Sequence, residues 1–158
     1  MKTCCFTGHR KINDKENLIN IINNEIKTLI SFGVTDFYAG GAIGWDMLCE
    51  QSVINHCDKK HPDIRLHLIL PCTVTEQTLK WTEKQKSLYH KILKSADSIE
   101  YVSEKYFVGC MKKRNQQLVD LADCCFCYYN DKKSASGTGQ TVRMAQRKGI
   151  KIINAKEL

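Results

Sequence analysis

The sequence predicts an α/β fold in which a single doubly wound, mainly parallel sheet carries helices on both faces. Short apolar runs alternate with longer segments of helical periodicity about five times, and one more strand follows the last helix. Strands that alternate with helices form parallel units with right-handed crossovers. The strand candidates are almost continuously apolar, as expected where helices cover both sheet faces. The length of 158 residues and the hydrophobic content of 42% suit one globular domain, which we expect to span residues 1–158.

Six strands are predicted from short, mostly apolar runs. Ile64–Leu70 is the clearest of them, because Pro71 closes it. The second strand is followed by Gly40-Gly41, a pair typical of tight turns. In chain order the predicted strands are Thr3–Thr7, Asp36–Ala39, Ile64–Leu70, Ser98–Tyr101, Cys124–Tyr128 and Ile150–Ile153.

Five helices are predicted from apolar residues that recur at three- and four-residue spacing. The first has the longest apolar stripe, and Gly33 marks its end. The third has the weakest stripe, so only a surrounding range can be given for it. In chain order the predicted helices are Lys15–Phe32, Ile43–Cys57, one within Glu76–Lys94, Met111–Ala122 and Thr138–Lys148.

The charge balance is mildly basic. Twenty-four Lys and Arg residues against 17 Asp and Glu residues leave a formal net charge of +7, which suits an anionic ligand. The basic residues form separated pairs and triplets, among them Lys59-Lys60 and Lys132-Lys133. Nucleic-acid-binding domains usually carry a more concentrated basic stripe. Composition therefore leaves the class of partner open.

Cysteine usage indicates the compartment. The nine cysteines are an odd number and no signal peptide precedes them, so we expect a cytoplasmic protein without a disulfide framework. No apolar run approaches the roughly 20 residues that span a bilayer. Cys124, Cys125 and Cys127 could form a metal or redox cluster, but neighbouring strand residues point to opposite faces, which favours simple packing. The histidines lack zinc-site spacing, so we expect no metal and no cofactor.

Two glycine-rich segments follow predicted strands and open predicted helices. At such junctions free backbone N–H groups and the helix dipole favour an anion. Neither segment is a dinucleotide fingerprint or a Walker A loop. Asp46 could hold a ribose hydroxyl or merely stabilise a helix start, and Thr138 could contact phosphate or act as an N-cap. The candidate ligand-binding residues are Gly40, Gly41, Gly44 and Asp46 in the first segment and Ser136, Gly137, Thr138, Gly139 and Thr141 in the second.

Two further segments carry polar residues beside the predicted strands. Gly8, His9 and Arg10 follow the first strand, where a glycine permits close approach, arginine can pair with phosphate and histidine can exchange a proton. The alternative is a plain surface turn. Arg114 and Asn115 lie on the helix before the fifth strand, where they could contact an anion and a polar ligand edge, or belong to a solvated helix face.

The order of these motifs resembles the YpsA-like family of the SLOG superfamily, the Rossmann-like group that includes DprA and the LOG enzymes. The resemblance rests on four motifs and covers Thr3 to about Ile153. They are Cys-Cys-Phe-Thr-Gly-His-Arg, Gly-Gly-Ala-Ile-Gly-Trp-Asp, Arg114-Asn115 with Val119-Asp120, and Ser-Gly-Thr-Gly-Gln-Thr. It implies a nucleotide-derived ligand bound by the glycine loops at the edge of the sheet. Superfamily members include both enzymes and proposed ligand sensors.

The resemblance to LOG enzymes is incomplete at the residue that matters for hydrolysis. Those enzymes cleave the N-glycosidic bond of nucleoside monophosphates and carry Gly-Thr-x-x-Glu, whereas Thr141 or Met144 occupies the glutamate position here. Glycoside cleavage needs a carboxylate that stabilises positive charge and activates water. Asp46, Asp120 and His9 are the remaining catalytic candidates, so the resemblance supports binding more than hydrolysis.

Three hypotheses about function follow. The first is a nucleotide-binding sensor or sequestering module, which we expect to be a homo-oligomer; the second is a nucleotide N-glycosidase or phosphoribohydrolase. The third is a DprA-like binder of single-stranded nucleic acid, suggested by the +7 charge and the superfamily resemblance. Tyr101, Tyr106 and Phe107 near Lys105 are a modest indication of base stacking, but a packed loop is the favoured interpretation of that segment. The first requires residues 40–46 and 136–141 to converge on one pocket.

Overall fold

The computed structural model describes residues 1–57, 61–130, 132 and 135–158. Lys59-Lys60 and Lys133, which belong to the basic pairs noted in the sequence, lie outside the described residues. Six strands form one sheet in the order β4-β3-β2-β1-β5-β6, with every neighbouring pair parallel. The strands are β1 (Thr3–Gly8), β2 (Asp36–Ala39), β3 (Arg65–Leu70), β4 (Ser98–Tyr101), β5 (Cys124–Tyr128) and β6 (Lys151–Asn154).

The helices cover both faces of this sheet, which confirms the predicted doubly wound α/β class. One apolar core joins the sheet to α1, α2 and α4, and a second joins its opposite face to α5 and α6. The helices are α1 (Lys15–Ser31), α2 (Trp45–His56), α3 (Val74–Gln77), α4 (Glu83–Ser95), α5 (Cys110–Leu121) and α6 (Gly137–Lys148), followed by a 3₁₀ turn at Ala155–Glu157. None of the helices in the described ranges is long and apolar enough to cross a membrane.

The single helix expected within Glu76–Lys94 is two helices, α3 and α4. Thr82 ends the connection between them because it forms a reciprocal cap with Gln85. Its hydroxyl accepts the Gln85 N–H at 3.2 Å, and its own N–H donates to the Gln85 side-chain oxygen at 3.0 Å. This capping box starts a new helix and explains the weak stripe, since the predicted range spans two separate elements.

The cysteine-rich strands β1 and β5 lie side by side in the middle of the sheet. Cys4 is paired in register with Cys124 and Cys5 with Cys125, and all four are fully buried. Cys4 and Cys124 belong to one core and Cys5 and Cys125 to the other, as the alternation of strand side chains predicts. Within the described ranges, no group of three or more His, Cys, Asp and Glu side chains is arranged to hold a metal ion.

The strand order reverses between β1 and β5. From β1 the chain continues to β2 on one side, whereas β5 continues to β6 on the other. The connections that leave the carboxyl ends of β1 and β5 therefore diverge and open a crevice between them. Doubly wound sheets bind ligands at such a point, and the functional site is expected there.

Candidate functional site

A cavity of about 390 Å³ lies at the carboxyl ends of β1 and β5; we call it the β1–β5 cavity. All four polar segments singled out in the sequence contribute to its wall, so residues 40–46 and 136–141 do meet at one end of the sheet. The contributing residues are Gly8, His9 and Arg10 after β1, Ala42 and Asp46 at the start of α2, Arg114 and Asn115 on α5, and Ser136, Gly137 and Thr138 at the start of α6.

The turn after β1 is held against the start of α2. A Cβ atom at Gly8 would overlap the Trp45 ring, which is fully buried and stacks on Tyr128 at 5.7 Å between centroids. The backbone N–H of Trp45 donates to the His9 carbonyl oxygen at 3.4 Å. Glycine at position 8 is therefore required by packing, in addition to any role toward a ligand.

His9 and Arg10 differ in how the protein engages them. The His9 Nε2 accepts the Asn130 N–H at 3.0 Å, so the imidazole links the β1 turn to the end of β5 and carries any single ring proton on Nδ1. Arg10 is exposed, and its guanidinium makes no hydrogen bond or ion pair with the residues that the structure describes. It is free to contact an anion in the cavity.

Three glycines of the first glycine-rich segment shape the site without lining the cavity. The Gly41 N–H, expected to face an anion, instead donates to the Glu50 Oε1 at 3.1 Å, and the Gly41 carbonyl accepts from the Gln77 Nε2 at 2.9 Å. Gly40 lies against the Arg114 guanidinium. Gly44 has a φ of 84°, and a Cβ there would overlap the Arg10 backbone. The geometry thus assigns backbone roles to all three glycines.

Arg114 and two carboxyl groups form a buried charged cluster behind the cavity. Arg114 is 5% exposed; its guanidinium donates to the Gly40 carbonyl and, through Nε, to the Asn115 side-chain oxygen at 2.7 Å. Burial lowers the pKa of the guanidinium and Asp46 opposes this effect, and an arginine stays protonated in any case. Arg114 therefore holds a fixed positive charge at the cavity wall.

The two acids of the cluster have different surroundings. The Asp46 Oδ2 accepts the Ala42 N–H at 3.2 Å. Burial raises the pKa of Asp46, against the opposing charge of Arg114 and the N–H groups of Ala42 and Gly40. Burial and the nearby Asp46 raise the pKa of Glu50 well above its ordinary value, and its Oε2 has no hydrogen-bond partner within the described ranges. The carboxyl group that keeps its charge more readily is therefore Asp46, which borders the cavity.

The start of α6 presents backbone donors to the cavity. The Ser136 hydroxyl caps the helix by accepting the Gly139 N–H at 3.1 Å. The N–H groups of Gly137 and Thr138 have no partner inside the helix, as is general for a first turn. Both residues border the cavity, and Gly137 is exposed. An anion at this position would meet the positive end of the helix dipole.

Besides Gly40, Gly41 and Gly44, three more of the proposed site residues lie away from the cavity wall. The Thr141 hydroxyl is buried and donates to the Gly137 carbonyl at 2.9 Å, and Gly139 is buried within the helix. Asp120 is exposed near the end of α5, where it accepts from the Gln116 side chain at 2.8 Å. It follows Arg114 by six residues, which is about 9 Å along a helix. Asp120 therefore does not supply a carboxylate to this cavity.

The sequence analysis missed Glu50, Gln77 and Tyr89, which support the first glycine-rich segment from behind. The Tyr89 hydroxyl donates to the Gln77 Oε1 at 3.1 Å, and the Gln77 amide holds Gly41. One signal for Glu50 was present: it follows Asp46 by four residues, and such residues share a helix face. No local signal connects Gln77 or Tyr89 to the glycines, since 36 residues separate Gln77 from Gly41.

Comparison with known proteins identifies the family of this chain. The family model of YpsA, described as the YspA SLOG family, matches residues 4–158. An SPbeta prophage-derived protein of Bacillus subtilis, YoqJ, is 32% identical over 123 residues, which are 70% of this chain and 69% of that protein. A UPF0398 protein of Halalkalibacterium halodurans is 29% identical over 114 residues, 71% of this chain and 59% of that protein. The chain thus spans only about three-fifths of that UPF0398 relative.

Two solved structures share the fold at low sequence identity. The DNA processing protein A (DprA) of Streptococcus pneumoniae superposes with a TM-score of 0.65 and 13% identity, over 96% of this chain and 49% of that one. TM1055, a structural genomics target, superposes with a TM-score of 0.61 and 16% identity, over 96% of this chain and 72% of that one. Both confirm a Rossmann-like α/β architecture. Because the family model extends over nearly the whole sequence, the chain belongs to the YpsA family of SLOG proteins.

Proposed function

We propose that this protein binds a nucleotide or nucleotide-derived ligand in the β1–β5 cavity, as a sensor or sequestering module. The observation that carries the proposal is the shared cavity. The open N–H groups at the start of α6 and the guanidinium groups of Arg10 and Arg114 border one space of about 390 Å³. That volume is near the lower end of the roughly 300–1,000 Å³ usual for small-molecule sites, which suits a mononucleotide portion.

Different residues of the cavity wall would contact the phosphate, the ribose and the remaining atoms of such a ligand. A phosphate group is expected at Gly137 and Thr138, where backbone donors and the helix dipole both favour negative charge. The Arg10 guanidinium, which has no ion pair among the described residues, can approach the same phosphate in a bidentate geometry. The Asp46 carboxylate, which borders the cavity, is an acceptor suited to a ribose hydroxyl. Apolar wall residues such as Phe6 and Met111 add contact area for the remaining atoms.

Binding is favoured over glycoside hydrolysis. Most glycosidases use two carboxyl groups that flank the bond. Among the described residues of the cavity wall, Asp46 is the single carboxylic acid. Asp120 lies elsewhere, and the His9 Nε2 already accepts a hydrogen bond. Family membership fits a nucleotide-related role, and the DprA name of a structural neighbour fits a nucleic-acid-related one.

A charge placed at the start of α6 tests the proposal. Gly137 is exposed and a Cβ there meets none of the described residues within 4 Å, so both Gly137→Ala and Gly137→Asp are expected to fold. An aspartate at the first helical position also stabilises a helix. AMP, ADP and ADP-ribose should raise the melting temperature of the wild type and of Gly137→Ala, but not of Gly137→Asp.

Incubation of the protein with the same three nucleotides shows whether it is an enzyme. Chromatography for free base detects hydrolysis, and base release that Asp46→Asn abolishes would establish the glycosidase alternative. If no nucleotide at millimolar concentration stabilises the wild type or is cleaved by it, the proposal is wrong.

An exposed aromatic segment supports a second candidate, the binding of single-stranded nucleic acid. Tyr106 is 59% exposed and Phe107 41%, next to Lys105 and just before α5. Bases stack on such rings, and neighbouring cations contact the phosphates. Binding of a labelled oligonucleotide should weaken steeply with salt and fall after Tyr106→Ala and Phe107→Ala. A response that is flat with salt would exclude this candidate.

A further inference from the structure

A second concavity of about 300 Å³ adjoins the β1–β5 cavity; it lies between the starts of α1 and α2 and the first half of α4, and we call it the α2–α4 groove. Its floor is apolar, formed by residues that include Ile12, Ile43, Met47 and Leu88. None of the described residues that line it is an aspartate or glutamate. An apolar floor without acidic residues suits a hydrophobic or aromatic group attached to an anion.

The groove carries positive charge at its rim. Arg10, Lys15 and Lys84 border it, and all three are exposed. Neither lysine makes an ion pair with any residue in the described ranges. Lys84 lies four residues before Leu88 on α4, so the charge stands on the same helix face as the apolar floor.

Arg10 borders both spaces. The first glycine-rich segment separates them, with Ala42 and Asp46 on the side of the β1–β5 cavity and Ile43 and Met47 on the side of the groove. The close approach of Gly44 to the Arg10 backbone fixes this arginine at the boundary. A ligand that extends from the cavity into the groove must therefore pass the one guanidinium that both spaces share.

We propose that the α2–α4 groove receives the second half of the ligand, so that the ligand class is a nucleotide joined through a pyrophosphate to another flat or apolar group. The inference rests on the proposed function, because it assumes that the β1–β5 cavity holds the first nucleotide. The pyrophosphate lies beside Arg10, between the two spaces. The distal group packs on the floor around Met47 and Leu88, and Lys84 and Lys15 complement the negative linkage.

Three probes separate the parts of this inference. AMP fills the cavity alone, ADP-ribose adds the pyrophosphate and a sugar, and diadenosine pyrophosphate adds a second base. Isothermal titration should show affinity that rises in this order, with at least a tenfold gain from ADP-ribose to diadenosine pyrophosphate.

A matched pair of variants tests whether the gain in affinity comes from contacts in the α2–α4 groove. Lys84→Glu reverses a charge at the groove rim, and Lys91→Glu makes the same change on an exposed part of α4 outside the groove. An acid in the first turn of α4 is favourable for the helix, so Lys84→Glu is expected to fold, and its melting temperature without ligand checks this. Lys84→Glu should remove most of the affinity that diadenosine pyrophosphate gains over AMP, and it should leave the affinity for AMP within about twofold of wild type. Lys91→Glu should change neither affinity.

The outcomes distinguish the two proposals. If AMP binds and diadenosine pyrophosphate binds no more tightly, the groove is not a ligand subsite, and the proposed function still holds. A gain that survives Lys84→Glu also overturns the placement of the second half. If none of the three probes binds, the proposed function is wrong and this inference is wrong with it.

Discussion

The Arg114 guanidinium donates a hydrogen bond to the Gly40 carbonyl oxygen, across 74 residues of sequence. This contact joins α5 to the turn that follows β2, and a Cβ at Gly40 would overlap the guanidinium. The arginine thus has two roles: it supports the glycine-rich segment and places a positive charge at the wall of the β1–β5 cavity. Its removal should affect the apo protein as well as ligand binding.

Arg114→Ala is expected to destabilise the protein by roughly 2–3 kcal/mol, since it removes hydrogen bonds to a charged group and leaves the Gly40 carbonyl buried without a donor. For a chain of this size that corresponds to about 4–12 °C in melting temperature. Thermal unfolding without ligand measures the change. Lys113→Ala, an exposed change on the same helix, is the control and should be near neutral. An unchanged melting temperature for Arg114→Ala would show that the arginine serves the ligand alone.

Glu50→Gln should change how stability depends on pH. Burial and Asp46 raise the folded-state pKa of Glu50, so this group ionises at lower pH in the unfolded chain, near 4.3. The free energy of unfolding of the wild type therefore falls as pH rises from about 4.3 toward the folded pKa, by up to about 1.4 kcal/mol per pH unit. Glutamine lacks this titration but keeps an oxygen that can accept the Gly41 N–H.

Urea unfolding at pH 5, 6 and 7 measures the effect. The stability of Glu50→Gln relative to wild type should increase with pH over this range. Glu83→Gln changes an exposed acid that is 92% accessible and should run parallel to wild type. Curves for Glu50→Gln and wild type that also run parallel would mean that Glu50 titrates normally in the folded protein.

Asp36→Asn should weaken the protein at neutral pH and alter its response to acid. Burial alone raises the pKa of Asp36, but hydrogen bonds from Thr35 and His67 and the charge of Arg65 outweigh it and leave the pKa below the ordinary value. The His67 Nε2 lies 2.9 Å from the Asp36 Oδ1. A lowered pKa means that the stabilisation is present above the unfolded pKa of about 3.9 and is lost as pH falls through the folded value.

The expected loss for Asp36→Asn at pH 7 is on the order of 1 kcal/mol, the usual net value of such hydrogen bonds. Below pH 4 the wild type and variant should converge. Chemical unfolding between pH 2.5 and 7 measures both features, with the exposed Asp63→Asn as control. A constant difference between wild type and Asp36→Asn across the acid range would contradict this assignment.

Gly8→Ala and Gly137→Ala make the same chemical change with opposite expected results. A Cβ at Gly8 overlaps the buried Trp45 ring, and overpacking typically costs about 1–3 kcal/mol. A Cβ at Gly137 meets no atom of the described part of the chain within 4 Å, and alanine favours a helix, so Gly137→Ala should be neutral or slightly stabilising. Differential scanning calorimetry compares the two variants. Equal melting temperatures would mean that the turn after β1 can move away from α2.

Local sequence patterns predicted most of the secondary structure. The bounds of β2, β4 and β5 agree with the predicted runs, and β2 ends where the Gly40-Gly41 turn begins. α2 begins at Trp45, two residues later than predicted, because Gly44 has a left-handed φ that starts the helix after it. The division between α3 and α4 was missed because a reciprocal side-chain cap at Thr82 outweighs a weak periodicity.

The sequence by itself determined the α/β class and the four polar segments of the site, because strand hydrophobicity, helix periodicity and glycine at turns are local properties. Only the tertiary structure decided which of those residues face the β1–β5 cavity. Gly41 is adjacent in sequence to a cavity residue, yet its N–H is occupied by Glu50, and Asp120 lies at the far end of the helix that carries Arg114. Hydrogen bonds between distant segments depend on how helices dock on the sheet, and the order of residues along the chain does not encode that geometry locally.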